Sequence, residues 1–188
     1  IRRTRFRSMN LGAQKGAAGT VVRAFRGDFH QKVDAKGRVS IPAQFRRVLE
    51  EGDPNWETGK LPEFVLVYGD DKREYLEGFT LKGIARVDKM IARMPRGSAK
   101  RRALSRLYSG QSVTLTIDDT GRIVLPAKIR EKAGLSAEAY FIGNTDTFEI
   151  WSPEGFDALD SIEGADDDFD PNADPSIYLP ADDENEDL

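Results

Sequence analysis

Apolar positions in this chain follow two periods, and segments of the two kinds alternate. Phe29, Gln31 and Val33 lie in phase at every second position between polar neighbours, as do Val113, Leu115 and Ile117. That alternation predicts two half-buried strands. A further short strand is expected over 38–41 and again over 122–125. Next comes helical spacing: Phe45, Val48 and Leu49 form one stripe, Ile129 and Ala133 a shorter one. Pro42 and Pro126 stand where proline suits a helix start, and Gly52 and Gly134 where glycine suits a stop. Between these segments, Ile84, Val87, Ile91 and Met94 mark a helix that Pro95-Arg96-Gly97 breaks. Ser98 is placed to cap a second helix whose apolar face is Leu104, Leu107 and Tyr108.

The pattern is an internal repeat. Asp34, Gly37, Arg38, Pro42, Ala43 and Arg46 recur in register as Asp118, Gly121, Arg122, Pro126, Ala127 and Arg130, six identities over thirteen positions. Apolar positions pair with apolar ones: Val33 with Ile117, Val39 with Ile123, Ile41 with Leu125. Each copy reads as strand, turn, strand, helix, the Asp accepting turn amides and the Gly supplying positive φ. Farther on, Phe64-Val65-Leu66-Val67-Tyr68 answers Ala139-Tyr140-Phe141-Ile142. Glu77-Gly78-Phe79 is matched to Glu154-Gly155-Phe156, with an insertion expected in the 53–62 loop. Copies this small are expected to share one core.

Charge is segregated, so the net charge of −4 misleads. Residues 1–23 carry Arg2, Arg3, Arg5, Arg7, Lys15 and Arg23 and no acid; residues 157–188 carry 13 acids and no Lys or Arg. The acidic balance therefore describes the tail and says nothing against nucleic-acid binding by the body. Both ends lack apolar periodicity and are expected to be disordered. The Arg-rich leader is read as a basic arm or a mis-assigned start, with a transit peptide as the alternative. The acidic tail reads either as a competitor for a cationic surface or as a solubility tail. No apolar run reaches bilayer length, and the absence of Cys fits a reducing compartment.

Catalytic chemistry finds little material. His30 is the only histidine and reads as a surface strand residue; with no Cys, there is no His/Cys metal cluster to assemble. The 52–60 segment has the wrong glycine spacing for a phosphate loop, and Leu61 stands where Ser or Thr is needed. Asp70-Asp71 and Asp118-Asp119 read as turn carboxylates. No enzyme activity, cofactor, metal or small-molecule substrate is expected. Lys100, Arg101, Arg102 and Arg106 form either a phosphate-contacting patch or a solvated helix face. Arg38 and Arg122 present planar forks suited to guanine or phosphate, or else pair with Asp34 and Asp118 to hold the turns.

Phe25-Arg26-Gly27, the two Asp-x-x-x-Arg turns and the paired Gly-Arg-(Val/Ile)-x-(Ile/Leu)-Pro-Ala runs resemble the MraZ family of bacterial transcriptional regulators, over roughly residues 25–157. The resemblance implies an α+β chain of two pseudo-symmetric, swapped-hairpin AbrB-like β-hairpin/helix repeats. The segments are then 1–24 basic extension, 25–80 first repeat, 81–109 helical connector, 110–157 second repeat and 158–188 acidic tail. It also implies a DNA-binding surface at Asp34, Lys36, Gly37 and Arg38, and at Asp118, Gly121 and Arg122. The first turn is expected to be the main reader, since Thr120 replaces Lys36 in the second. Arg26, Lys32 and Arg46 are secondary phosphate candidates. The expected partners are double-stranded DNA carrying short direct repeats and other copies of the chain in a ring; the expected place is the cytoplasm, at the nucleoid. The expected role is repression of the division and cell-wall gene cluster, including the chain's own promoter. An antitoxin-like AbrB regulator and an interaction scaffold without a DNA role are the alternatives.

Overall fold

The computed structural model describes residues 24–69, 73–159 and 179. The basic leader, Asp70-Asp71 and most of the acidic tail lie outside them. The first half runs β1 (Asp28–Lys32), β2 (Arg38–Ser40), α1 (Ala43–Gly52), β3 (Glu63–Val67) and β4 (Leu76–Thr80). The connector is α2 (Leu81–Arg93), α3 (Ala99–Ser105) and a π-helical turn, Arg106–Gly110. The second half repeats the order as β5 (Ser112–Thr116), β6 (Arg122–Val124), α4 (Ala127–Lys132), β7 (Glu138–Asn144) and β8 (Thr147–Trp151), then α5 (Pro153–Leu159).

Pairing joins the two halves rather than staying within each. One antiparallel sheet has the order β1-β7-β8-β4-β3-β5, and a separate ribbon pairs β2 with β6. β1 is bonded to β7 of the second half, β5 to β3 of the first, and β4 to β8 across the middle. The turn after β1 therefore does not close a local hairpin ladder; Val33 and Val39 form only a single bridge across it. The physical reason is burial. An isolated three-residue strand hides too little apolar surface to be stable, whereas pairing with β6 seals Val39 and Ile41 in one core with Ile123 and Leu125.

That core lies between ribbon, helices and sheet, and aromatic rings fill it. The Phe45 ring lies 5.3 Å from each of Phe25, Phe29 and Phe148, and Phe45 and Phe148 are fully buried. Truncating either to Ala is expected to cost about 3–5 kcal/mol. A smaller cluster of Val65, Val67, Phe79 and Ile84, with Val87, Leu107 and Tyr108 against it, joins the sheet to the connector. Connector capping follows the side chains: Thr80 Oγ1 accepts from Gly83 N at 2.9 Å and Ser98 Oγ from Arg101 N at 3.3 Å. Buried Asp53 organises the inserted loop, accepting from Asn55 N at 2.8 Å and Glu63 N at 3.1 Å.

Two sequence expectations need correction. Glu77-Gly78-Phe79 lies in β4 but Glu154-Gly155-Phe156 in α5, so that match joins unlike elements; the β4 glutamate instead faces Glu149 of β8. Gly52 is the last residue of α1, yet only Gly134 has the left-handed φ, +63°, of a glycine stop. Gly52 is needed because a Cβ there would lie 2.3 Å from the Thr80 side chain.

Candidate nucleic-acid interface

Each turn is built around its aspartate. Asp34 Oδ1 accepts from the backbone amides of Lys36 and Arg38, both at 2.9 Å, while Oδ2 takes Arg38 Nε at 2.6 Å. Gly37, at φ +78°, brings its N–H back to Asp34 O at 2.8 Å. In the second turn Asp118 Oδ1 accepts from Thr120 N and Arg122 N, both at 2.9 Å, and Gly121 repeats φ +78°. Both carboxyls are held below their ordinary range. For Asp34 the leading causes are the Arg38 amide and then its guanidinium; for Asp118 they are the Thr120 hydroxyl and then the Arg122 amide.

The ribbon carries the two turns on one surface. Arg38 pairs with Val124, Val39 with Ile123, and Ser40 with Arg122. Residues opposite one another in an antiparallel pair share a face. Val39 and Ile123, each 1% exposed, take the core side, so Arg38, Ser40, Arg122 and Val124 take the outer one. Each turn also closes on the other half: Leu125 N donates to Gly37 O at 2.8 Å and Ile41 N to Gly121 O at 2.9 Å. The side chains of Arg38 and Arg122 are about two-fifths exposed, 40% and 38%. With Nε bonded within its own turn, the terminal nitrogens of each have no partner among the described residues.

The remaining candidates fall in different places. Lys36 is exposed at the tip of the first turn, and Thr120 takes the matching place in the second. Lys32 is exposed at the end of β1 nearest the first turn, opposite Glu138. Arg26 is exposed at the other end of β1, about 20 Å of extended chain from Lys32, and is not brought to the turns. Arg46 packs beneath the second turn, where a Cβ on Gly121 would meet its guanidinium, and its Nε is buried. In the connector, Arg101 and Arg102 donate to the backbone carbonyls of Met94 and Gly97, at 2.7 and 3.0 Å, which assigns them part of the helix-closing work. His30 is exposed and lies against Tyr140 at 4.5 Å, a surface strand residue.

Sequence reasoning left three contributors unassigned. Arg130 is the counterpart of Arg46 and lies beneath the first turn, its Nε donating to Leu125 O at 3.1 Å and its guanidinium against Gly37. Its recurrence with Arg46 in the repeat was the available signal. Alternation puts Ser40 on the face of Arg38 and Val124 on that of Arg122, but only the β2–β6 register sets Val124 beside Arg38 and Ser40 beside Arg122.

Comparison with known proteins gives one consistent result. A family model described as "MraZ protein, putative antitoxin-like" matches residues 109–171. A protein of Ruegeria sp. (strain TM1040) named Transcriptional regulator MraZ is 54% identical over 155 residues, spanning 79% of this chain and 93% of the relative. Its namesake in Ruegeria pomeroyi is 51% identical over 157 residues, 80% of this chain and 94% of that protein. A more distant one in Rhodospirillum rubrum is 33% identical over 143 residues, 75% and 87% of the two chains.

Proposed function

The chain belongs to the MraZ family, and on that premise we propose that it is a transcriptional regulator binding double-stranded DNA through the outer face of the β2–β6 ribbon. The observation that carries this reading is the pair Arg38 and Arg122 on the outer side of a two-stranded ribbon, each held through Nε and with terminal nitrogens unbonded among the described residues. The B-DNA major groove admits a two-stranded ribbon, and a planar Arg fork matches guanine O6 and N7 or a phosphate. Lys36 adds a cation to the first turn, which we assign as the main reader. The halves are read as swapped-hairpin AbrB-like repeats, 25–80 and 110–157, since each half supplies strand partners to the other.

Because one ribbon makes few base contacts, useful affinity requires several subunits on adjacent sites, and linkage raises the effective concentration of each further contact. The reading is therefore a closed homo-oligomer, a ring, acting in the cytoplasm at the nucleoid on short direct repeats. Its regulatory role is repression of the division and cell-wall gene cluster, the chain's own promoter included. The test is a gel shift at physiological salt on DNA from upstream of its own gene, with oligomeric mass measured in parallel. Arg38→Ala is expected to abolish the specific shift and leave the assembly unchanged, a lost bidentate contact being worth about 1–3 kcal/mol per engaged subunit. Wild-type affinity in the variant removes the turn-reader model.

The words "antitoxin-like" in the matching family description favour one second reading, a regulator that also holds a small protein partner. Co-purification of such a protein with the full chain at stoichiometric yield supports it; a homogeneous homo-oligomer from the native host rejects it.

A further inference from the structure

The outer face of the ribbon is two-fold in its arginines and not in the positions between them. Under the repeat, Arg38 corresponds to Arg122 and Ser40 to Val124. The register sets Val124 directly opposite Arg38 and Ser40 directly opposite Arg122, all on one face. Each arginine thus has a different cross-strand neighbour, a valine in one case and a serine in the other. Val124 is 56% exposed, whereas Val39 and Ile123 at the neighbouring positions of the same ribbon are each 1% exposed. A single exposed valine is ordinary on a protein surface. This one lies opposite Arg38 and two residues along the strand from Arg122, on the side of the ribbon that faces away from the core.

We propose that Val124 is a specificity-determining residue that packs against a thymine C5-methyl group beside the base contacted by Arg38. This inference rests on the DNA-binding reading above and adds to it. In the major groove the thymine methyl is the apolar feature available to an apolar side chain, and a serine hydroxyl bonds either donor or acceptor edges without requiring a methyl. The side of the ribbon holding Arg38 and Val124 therefore demands a thymine next to its guanine, and the side holding Ser40 and Arg122 does not. A subunit that reads its two sides differently binds its site in one orientation.

The test uses the full-length protein and a fragment from upstream of its own gene, made once with thymine and once with deoxyuridine throughout. The substitution removes every C5-methyl and leaves the hydrogen-bonding edges of the bases in place. Wild type is expected to bind the deoxyuridine fragment more weakly, by about fourfold for each methyl contacted, the value of one buried methylene-sized group. Val124→Ser makes the two sides alike and is expected to bind both fragments equally, at the weaker affinity; Val124→Ile keeps the preference and reports that the ribbon tolerates substitution there. Equal binding of both fragments by wild type, or a preference for thymine that persists in Val124→Ser, overturns the inference and leaves the DNA-binding reading intact. Failure of wild type to shift the thymine fragment at all overturns both.

Discussion

The two turns share a sequence pattern and a backbone, and they hold their arginines differently. At the first, Arg38 Nε reaches Asp34 Oδ2 at 2.6 Å. At the second, the corresponding separation between Arg122 and Asp118 is 3.7 Å, and Arg122 Nε donates instead to Thr120 Oγ1 at 2.7 Å. The hydroxyl of Thr120 also donates to Asp118 Oδ1 at 2.6 Å, so it stands between acid and base. Lys36, its counterpart, leaves the acid to the arginine and sends its own charge into solvent. Thr120 in place of Lys36 therefore changes the arginine's tether, and together with Asp119 in place of Ala35 it changes the charge at the tip. The first turn carries more cations than acids, the second more acids than cations.

The same asymmetry extends beneath the turns, where the largest difference in stability is expected. An added Cβ at Gly37 meets the Leu125 backbone carbonyl at 2.6 Å, whereas at Gly121 the nearest atoms all belong to the Arg46 side chain. Both positions have φ +78°, so Ala at either carries a backbone penalty of about 1–3 kcal/mol. Arg46 can swing aside; the Leu125 carbonyl cannot move without loosening the bond it receives from Arg130 Nε. Gly37→Ala is expected to destabilise the fold clearly more than Gly121→Ala in denaturant titrations. Equal losses show that the two turns rest on equivalent supports, and the comparison fails at its base.

Next in size is DNA affinity. Arg122→Ala is expected to weaken specific binding by less than Arg38→Ala, toward the low end of about 1–3 kcal/mol per site, because the second turn lacks the cation at its tip. Competition binding on one promoter fragment measures both, and a larger loss at Arg122 reverses the assignment of the main reader. A smaller effect belongs to the tip itself. Lys36→Thr makes the first turn resemble the second and is expected to lower the salt dependence of binding by about one charge per engaged subunit, uniformly across sequences. An unchanged slope places Lys36 away from the phosphates.

How legible all this was depends on the range of the interaction. The turns were readable because their determinants are local: an Asp, the amides two and four residues on, and a Gly that has to take positive φ. The Ser98 cap and the break at Pro95 were readable for the same reason. Strand partners were not, since alternation says which face of β1 is buried and nothing about whether β2 or β7 lies beside it. The cross-strand neighbourhood of Val124 with Arg38 and Ser40 with Arg122 was hidden with them, because it exists only in the β2–β6 register. Arg46 has a contact that its place in the sequence did not disclose: its side chain lies under Gly121 of the other half. Glu154-Gly155-Phe156 resembled a strand motif by composition and is helical, with its glycine amide bonded at 3.1 Å to the Ser152 hydroxyl.

The smallest effect isolates the Thr120 hydroxyl most directly. Asp118 is held below its ordinary carboxylate value of 3.8 chiefly by that hydroxyl, with the Arg122 and Thr120 amides adding to it. Thr120→Ala removes the first cause and keeps the amides, so the Asp118 pKa is expected to rise toward 3.8 without fully reaching it. Asp34 is lowered first by the Arg38 amide, and Lys36 contributes only through its backbone N–H. Lys36→Ala is therefore expected to leave the Asp34 titration where it is. The sign for stability follows from linkage: a depressed carboxyl contributes stability above its unfolded pKa and loses it as pH falls through the lower folded value. Thr120→Ala should thus begin to lose the turn at a higher pH than wild type, within the interval below 3.8, while Lys36→Ala loses it at the wild-type pH. Carbon-13 NMR of the side-chain carboxyls, followed from neutral to strongly acidic pH, reads both groups in one titration. A rise at Asp34 in Lys36→Ala, or none at Asp118 in Thr120→Ala, means that the hydroxyl does not separate the two turns and that their difference is one of charge alone.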